Sequence, residues 1–215
     1  APGPGGQVPV KATIRVQRGG GRSDAEAEAL VRRLETDPPI EVTGNTVRIG
    51  HLDEEDRQNV SISYEITVPA ATSVVSRTGS GSQTVAGLAG PVNVRTGSGA
   101  ITLTDIGGAV EAGTGSGSIT AERIAGAFEG TTGSGSISVV QTASGAVAVT
   151  TGSGNVRLSG VESSARARTG SGGITIAGVP AGPGDIETGA GSVDLRVPAD
   201  TAGVRAMLKA LRRGE

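Results

Sequence analysis

No cysteine and no tryptophan occur in these 215 residues, and the aromatic side chains stop at Tyr64 and Phe128. Without cysteine there is no disulfide, no thiolate metal ligand and no sulfur nucleophile, and the redox compartment is left open. With so few aromatics the interior must be narrow and filled by Val, Ile, Leu and Ala, and no ring platform is on offer for stacking against a sugar. Charge is nearly balanced, 19 Lys and Arg against 21 Asp and Glu, a net of −2. That removes the electrostatic footprint of a nucleic-acid binder. No run of about 18 apolar residues exists, so no helix is long and apolar enough to span a membrane.

Catalytic signatures are missing as well. No G-x-x-x-x-G-K-[ST] phosphate loop occurs, and no G-x-G-x-x-G opens a helix after a strand. There is no G-x-S-x-G elbow, and Ser80, Ser98, Ser116, Ser134, Ser153 and Ser171 have no base at a matching place, so they read as turn residues. Calcium β-rolls need an Asp in every turn, whereas Asp105, Asp185 and Asp194 are scattered. His51 with Asp53, Glu54, Glu55 and Asp56 is the one dense polar cluster. Consecutive loop residues do not converge on a hard cation from several directions, so the cluster reads as a solvated loop. The expectation is a protein without catalysis, cofactor or metal.

What the chain has is glycine, 37 residues of it, and a period. T-G-S-G begins at Thr78, Thr96, Thr114, Thr132, Thr151 and Thr169, and T-G-A-G follows at Thr188, giving spacings of 18, 18, 18, 19, 18 and 19. A fixed period of this size marks a repeat architecture. Four residues before the Thr stand Val74, Val92, Val110, Phe128, Val147, Ala165 and Gly184. Five after it stand Gln83, Ile101, Ile119, Ile137, Val156, Ile174 and Val193, and seven after it Val85, Leu103, Ala121, Val139, Leu158, Ile176 and Leu195. Ten after it come Leu88, Ile106, Ile124, Thr142, Val161, Val179 and Pro198. Steps of two within β-branched runs are strand steps. Apolar residues are too few, and glycines too many, for amphipathic helices. Each repeat therefore reads as a coil of two or three short strands, with glycine supplying positive φ at the corners. One coil cannot bury enough to stand alone, so coils must stack. The fold class is all-β, a parallel β-solenoid of 18–19-residue coils, right-handed by the rule for parallel crossovers.

Three segments follow. Residues 1–69 hold N-terminal strands and a helix that start the solenoid, 70–198 are the repeats, and 199–215 carry a C-terminal amphipathic helix, a cap or an assembly element. In the first, a Pro/Gly arm at 1–7 precedes alternating Val8, Val10, Ala12, Ile14 and Val16, a strand. Ser23 and Glu26 form a capping box for a helix of about 24–35, stopped before Pro38 and Pro39. T-G-N-T at 43–46 is a hairpin or corner signal, and Val60, Ile62, Tyr64, Ile66 and Val68 alternate as a strand. Val204, Met207, Leu208 and Leu211 at helical spacing, with Arg205, Lys209, Arg212 and Arg213 opposite, mark the last helix at about 200–213. The opening Ala1 suits a processed or trimmed product.

The run Tyr64-Glu65-Ile66-Thr67-Val68-Pro69-Ala70, followed by reiterated T-G-S-G-x-I-x-L, resembles the DUF4097 family of bacterial adhesin-type proteins. Ile40-Glu41-Val42 and Asn45-Thr46-Val47-Arg48-Ile49 fit the same pattern, so the resemblance covers about 40–198. It implies an extracytoplasmic β-solenoid and supplies no catalytic residues to carry over. The helix at about 24–35 lies outside the repeat pattern.

The outward positions divide the rod. Six residues past each Thr stand Thr84, Thr102, Thr120, Ser138, Arg157, Thr175 and Asp194, an almost neutral row. Within it, Thr84, Thr102, Thr120, Ser138 and Thr175 are the candidate contact face. The opposite strand carries Arg95, Glu111, Glu129, Arg166, Arg168, Asp185 and Glu187. Thr also favours strands for its own sake, which leaves a purely structural reading open beside a contact surface. The expected function is structural or adhesin-like, at the cell surface or outside the cell. The expected partner is the chain itself, head to tail as an oligomer or filament. The alternatives are a monomeric module for a surface glycan or matrix ligand and, less favoured, a carbohydrate-active solenoid enzyme. Nucleic acid and a membrane span are not expected.

Overall fold

The computed structural model describes residues 9–16, 24–44, 46–50, 60–178 and 181–196. The N-terminal arm, the polar loop around His51, the capping Ser23 and the expected C-terminal helix lie outside the described residues. The chain divides into two compact units, Ala1–Val68 and Pro69–Glu215.

In the first unit, β1 (Val10–Val16) pairs antiparallel with β4 (Val60–Ile66). Helix α1 (Asp24–Thr36) buries Leu30 and Leu34, one helical turn apart on a single face. It ends where Asp37 N–H reaches the Arg33 carbonyl at 2.8 Å and Pro38 and Pro39 forbid another turn. β2 (Ile40–Thr43) and β3 (Thr46–Ile49) form a hairpin in which Thr43 faces Thr46 across a two-residue loop. Gly44 takes φ +57° there, the left-handed geometry such loops need.

The second unit is the repeat. Every coil gives two strands, one to each of two seven-stranded parallel sheets. The first sheet runs β5 (Val74–Thr78), β7 (Val92–Ser98), β9 (Val110–Ser116), β11 (Phe128–Ser134), β13 (Val147–Ser153), β15 (Ala165–Ser171), β17 (Gly184–Ala190). The second runs β6 (Gln83–Leu88), β8 (Ile101–Ile106), β10 (Ile119–Ile124), β12 (Ile137–Gln141), β14 (Val156–Val161), β16 (Ile174–Gly178), β18 (Val193–Arg196). This is an all-β parallel solenoid of seven coils. Register follows the period: Thr96 pairs with Thr114, and Thr114 with Thr132. The core is the thin layer between the sheets, where Val94, Leu103, Ile119, Ile137 and Leu158 are fully buried. The one aromatic of the rod, Phe128, is buried with them and lies over Gly130, where an added Cβ would meet its ring at 2.7 Å.

Two expectations need correction. The first concerns the corner glycines. Positive φ holds for the second Gly of the last four copies, Gly135, Gly154, Gly172 and Gly191 at 144–159°, but not for the first Gly of any copy. What demands glycine is the coil beneath: a Cβ on Gly115 would stand 2.6 Å from the Gly97 carbonyl oxygen, and one on Gly117 2.0 Å from that of Gly99. Strands stacked at about 4.8 Å leave no room there for a side chain. The Thr completes the corner. Buried Thr114 donates its hydroxyl to the Gly99 carbonyl, and Thr132 to that of Gly117, at 3.0 and 2.9 Å. The same bond recurs from Thr96 to Thr188.

The second concerns the position ten residues past the Thr. Ile106 and Ile124 do point inward, although three residues, an odd step, separate them from the previous inward side chain. A left-handed residue resets the alternation: Gly87, Asp105, Arg123 and Gly160 have φ of 73, 56, 54 and 70°. The fourth coil lacks that bend. Gln141, not Thr142, pairs with Ile124 and is buried, while Thr142 is exposed. In the sixth coil Gly178 takes the register of Val161, in place of Val179. Pro198 lies outside the described residues.

Candidate contact face

The outward side of the second sheet follows from strand alternation. Thr84, Thr102, Thr120, Ser138, Arg157, Thr175 and Asp194 are successive register partners from β6 to β18. The first four form an unbroken row of hydroxyls. Thr175 belongs to the same row but is cut off from the others by Arg157. All are exposed or half-buried, and their strands are hydrogen-bonded on both sides except at the sheet ends. The face is therefore flat, with no free backbone edge along its length. Short bonds hold the neighbouring row: Asn155 Oδ1 accepts from Gly173 N–H at 2.8 Å, and Ser136 Oγ accepts from Asn155 N–H at 3.3 Å.

The first sheet places its charges outward and mostly pairs them between coils. Arg95 bonds Glu111, which also takes the Asn93 amide. Arg168 meets Asp185 at 2.7 Å and Glu187 at 3.5 Å, and Arg166 meets Asp185 at 3.5 Å. At the bend within the second sheet's strands, Arg123 grips Asp105 with two bonds of 2.5 and 2.9 Å. That bond holds the Asp105 carboxyl below the usual range and raises Arg123. The hydrogen bond that Arg168 donates to Asp185, then the charges of Asp185 and Glu187, raise Arg168 likewise. Glu129 has no ion-pair partner among the described residues.

A groove of about 680 Å³ follows the corner where the first sheet's strands begin. Ala109, Ala127 and Ala146 line it beside Glu111 and Glu129. The carbonyls of those alanines already accept Val92, Val110 and Phe128 N–H at 2.8–2.9 Å, so the groove offers no backbone for strand addition. Among the described residues no group of His, Cys, Asp or Glu is placed to hold a metal ion, and none of the helices is long and apolar enough to cross a membrane.

Two features escaped sequence reasoning. The Asp105–Arg123 pair joins residues 18 apart on left-handed bends, and Gly87 and Gly160 at the same place in their coils were the available signal. The second is the isolation of Arg157, whose place on the row the sequence does show: it has no hydrogen bond or ion pair among the described residues.

No curated protein and no solved structure matches the chain. The Toastrack DUF4097 family profile does, over residues 31–210, a span that takes in the whole two-sheet stack and part of the first unit. With its T-G-S-G corners, paired parallel sheets and matching profile, this chain belongs to the Toastrack DUF4097 family.

Proposed function

We propose that the protein is a non-catalytic structural rod of adhesin type, working outside the cytoplasm or on the cell surface, with the hydroxyl face of its second sheet as the contact surface. The observation that carries this reading is the unbroken row Thr84–Thr102–Thr120–Ser138 on a flat face, opposite a sheet whose charges are largely spent on one another. A flat, regular face with little charge suits contact with an extended ligand rather than enclosure of a small substrate. The test is a glycan and matrix-protein array probed with the intact chain and with Thr102→Arg/Thr120→Arg. Saturable signal that the double variant loses supports the reading. Equal signal from both chains removes the face from it.

A second reading is end-to-end assembly. Among the described residues, β5, β6, β17 and β18 stand at the ends of their sheets with one strand neighbour each, and open parallel edges template further pairing. A head-to-tail joint that does not close gives a filament. Right-handed winding and a basic amphipathic helix at 200–213, capping or joining, belong to this reading. Light scattering and negative-stain imaging of the intact chain, beside one lacking residues 1–7, test it. A monomer at high concentration ends it.

A further inference from the structure

We propose that the hydroxyl face binds a linear acidic polysaccharide, with Arg157 as the residue that seats one of its carboxylates; the inference rests on that face being the contact surface. On the rod, Arg95, Arg123, Arg166, Arg168 and Arg196 are each ion-paired. Arg77, which stands on β5 of the other sheet, and Arg157 have no ion pair among the described residues, so Arg157 is the unpaired arginine on this face. It is exposed as the second residue of β14, between Ser138 and Thr175 in its row. The acids nearest along this sheet, Glu122 and Asp194, are engaged by Arg123 and Arg196 at 3.6 and 2.9 Å. On a flat face of small polar residues this guanidinium neither fills a cavity nor closes a pair, so the fold itself gives no reason for it.

The rest of the face narrows the ligand. Hydroxyls that exchange water for a neutral sugar gain little net free energy. The rod's sole aromatic is buried, so stacking cannot make up the difference. The strong contact available is a charge-assisted, two-pronged bond from Arg157 to an oxyanion. An acidic peptide fits poorly, because peptide recognition uses a sheet edge, an apolar groove or an arginine cluster, and the middle of this face has none. A polyhydroxylated ribbon instead meets Ser138 and Thr175 one strand spacing, about 4.8 Å, on either side of its carboxylate, with Ser159 two residues along β14. One such bond is weak, and copies of the rod side by side add avidity.

The experiment measures binding of oligogalacturonate, a neutral oligogalactan of equal length and poly-glutamate of equal charge to the intact chain, to Arg157→Gln and to Arg157→Lys. Circular dichroism and melting confirm that each variant is folded. The expected result is that oligogalacturonate binds best, that Arg157→Gln weakens it at least about tenfold and Arg157→Lys less, and that added salt weakens it. Oligogalacturonate binding that Arg157→Gln leaves unchanged overturns the proposal, as does poly-glutamate binding equally well. Neutral oligogalactan binding equally well, and lost in Thr102→Arg/Thr120→Arg, ends the anionic inference but keeps the face as the contact surface. If none of the three binds, the inference fails and the array decides the broader reading alone.

Discussion

At the scale of the residue, the corner combines two glycines and a threonine, and each can be tested separately. Gly117→Ala pushes a Cβ to 2.0 Å from the Gly99 carbonyl oxygen, where backbone must move, and should cost more than about 3 kcal/mol. Gly87→Ala meets open space at φ +73° and should cost about 1–2 kcal/mol from the left-handed backbone alone. Thermal melts of the two variants distinguish crowding from φ as the reason for glycine; equal losses contradict the stacking account. Thr132→Val keeps the shape of a side chain that is 2% exposed but deletes the donor to Gly117. It should lose about 1–3 kcal/mol by chemical denaturation, and Thr132→Ser should recover most of that loss.

At the scale of the element, volume is shared within single strands. Phe128 fills space that Gly130 leaves on β11, whereas β9 places Val110 and Ala112 at those positions. Phe128→Val should cost about 2–3 kcal/mol through the cavity and Gly130→Ala about 1–3 kcal/mol through overlap. The double variant should return towards wild type, with a coupling of about 1 kcal/mol or more in a double-mutant cycle. Ile119→Asp places an unpaired carboxylate in a fully buried position of β10 and should abolish cooperative unfolding at neutral pH. Burial would raise the folded-state pKa of that new acid, so the stability it removes should partly return as pH falls below that value; a melting curve unchanged at pH 7 contradicts inward placement. Legibility followed the same lines. The ranks four before, five after and seven after each Thr repeat almost unchanged, so Val92, Ile101 and Leu103 could be placed inward from sequence. The rank ten after could be read too, and Leu88, Ile106, Ile124 and Val161 are buried; the left-handed bend that turns it inward could not, because nothing about Asp105 or Arg123 as residue types announces one, and Gln141 gave no sign of the missing one. Glycine was legible at the corners, but its cause lies in a coil 18 residues away. The hydroxyl row could be read in order; the isolation of Arg157 depends on which charges find partners across coils.

At the scale of the molecule, stability is distributed coil by coil, since each strand pairs only with its equivalents in adjacent coils. Removing residues 110–127, one full coil, joins Ala109 to Phe128 as Ala127 is joined now, and register is kept. That shortened chain should fold with the same strand signature in circular dichroism and a lower melting temperature, whereas removing nine residues should abolish the transition. The in-register stack also makes the rod a ruler. Every added coil advances the outward row by one strand spacing, about 4.8 Å, and repeats the same corner, the same thin core and the same side chain facing out. Reach is thereby set by copy number: duplicating a coil lengthens the tract a single molecule can span while its chemistry per unit length stays fixed.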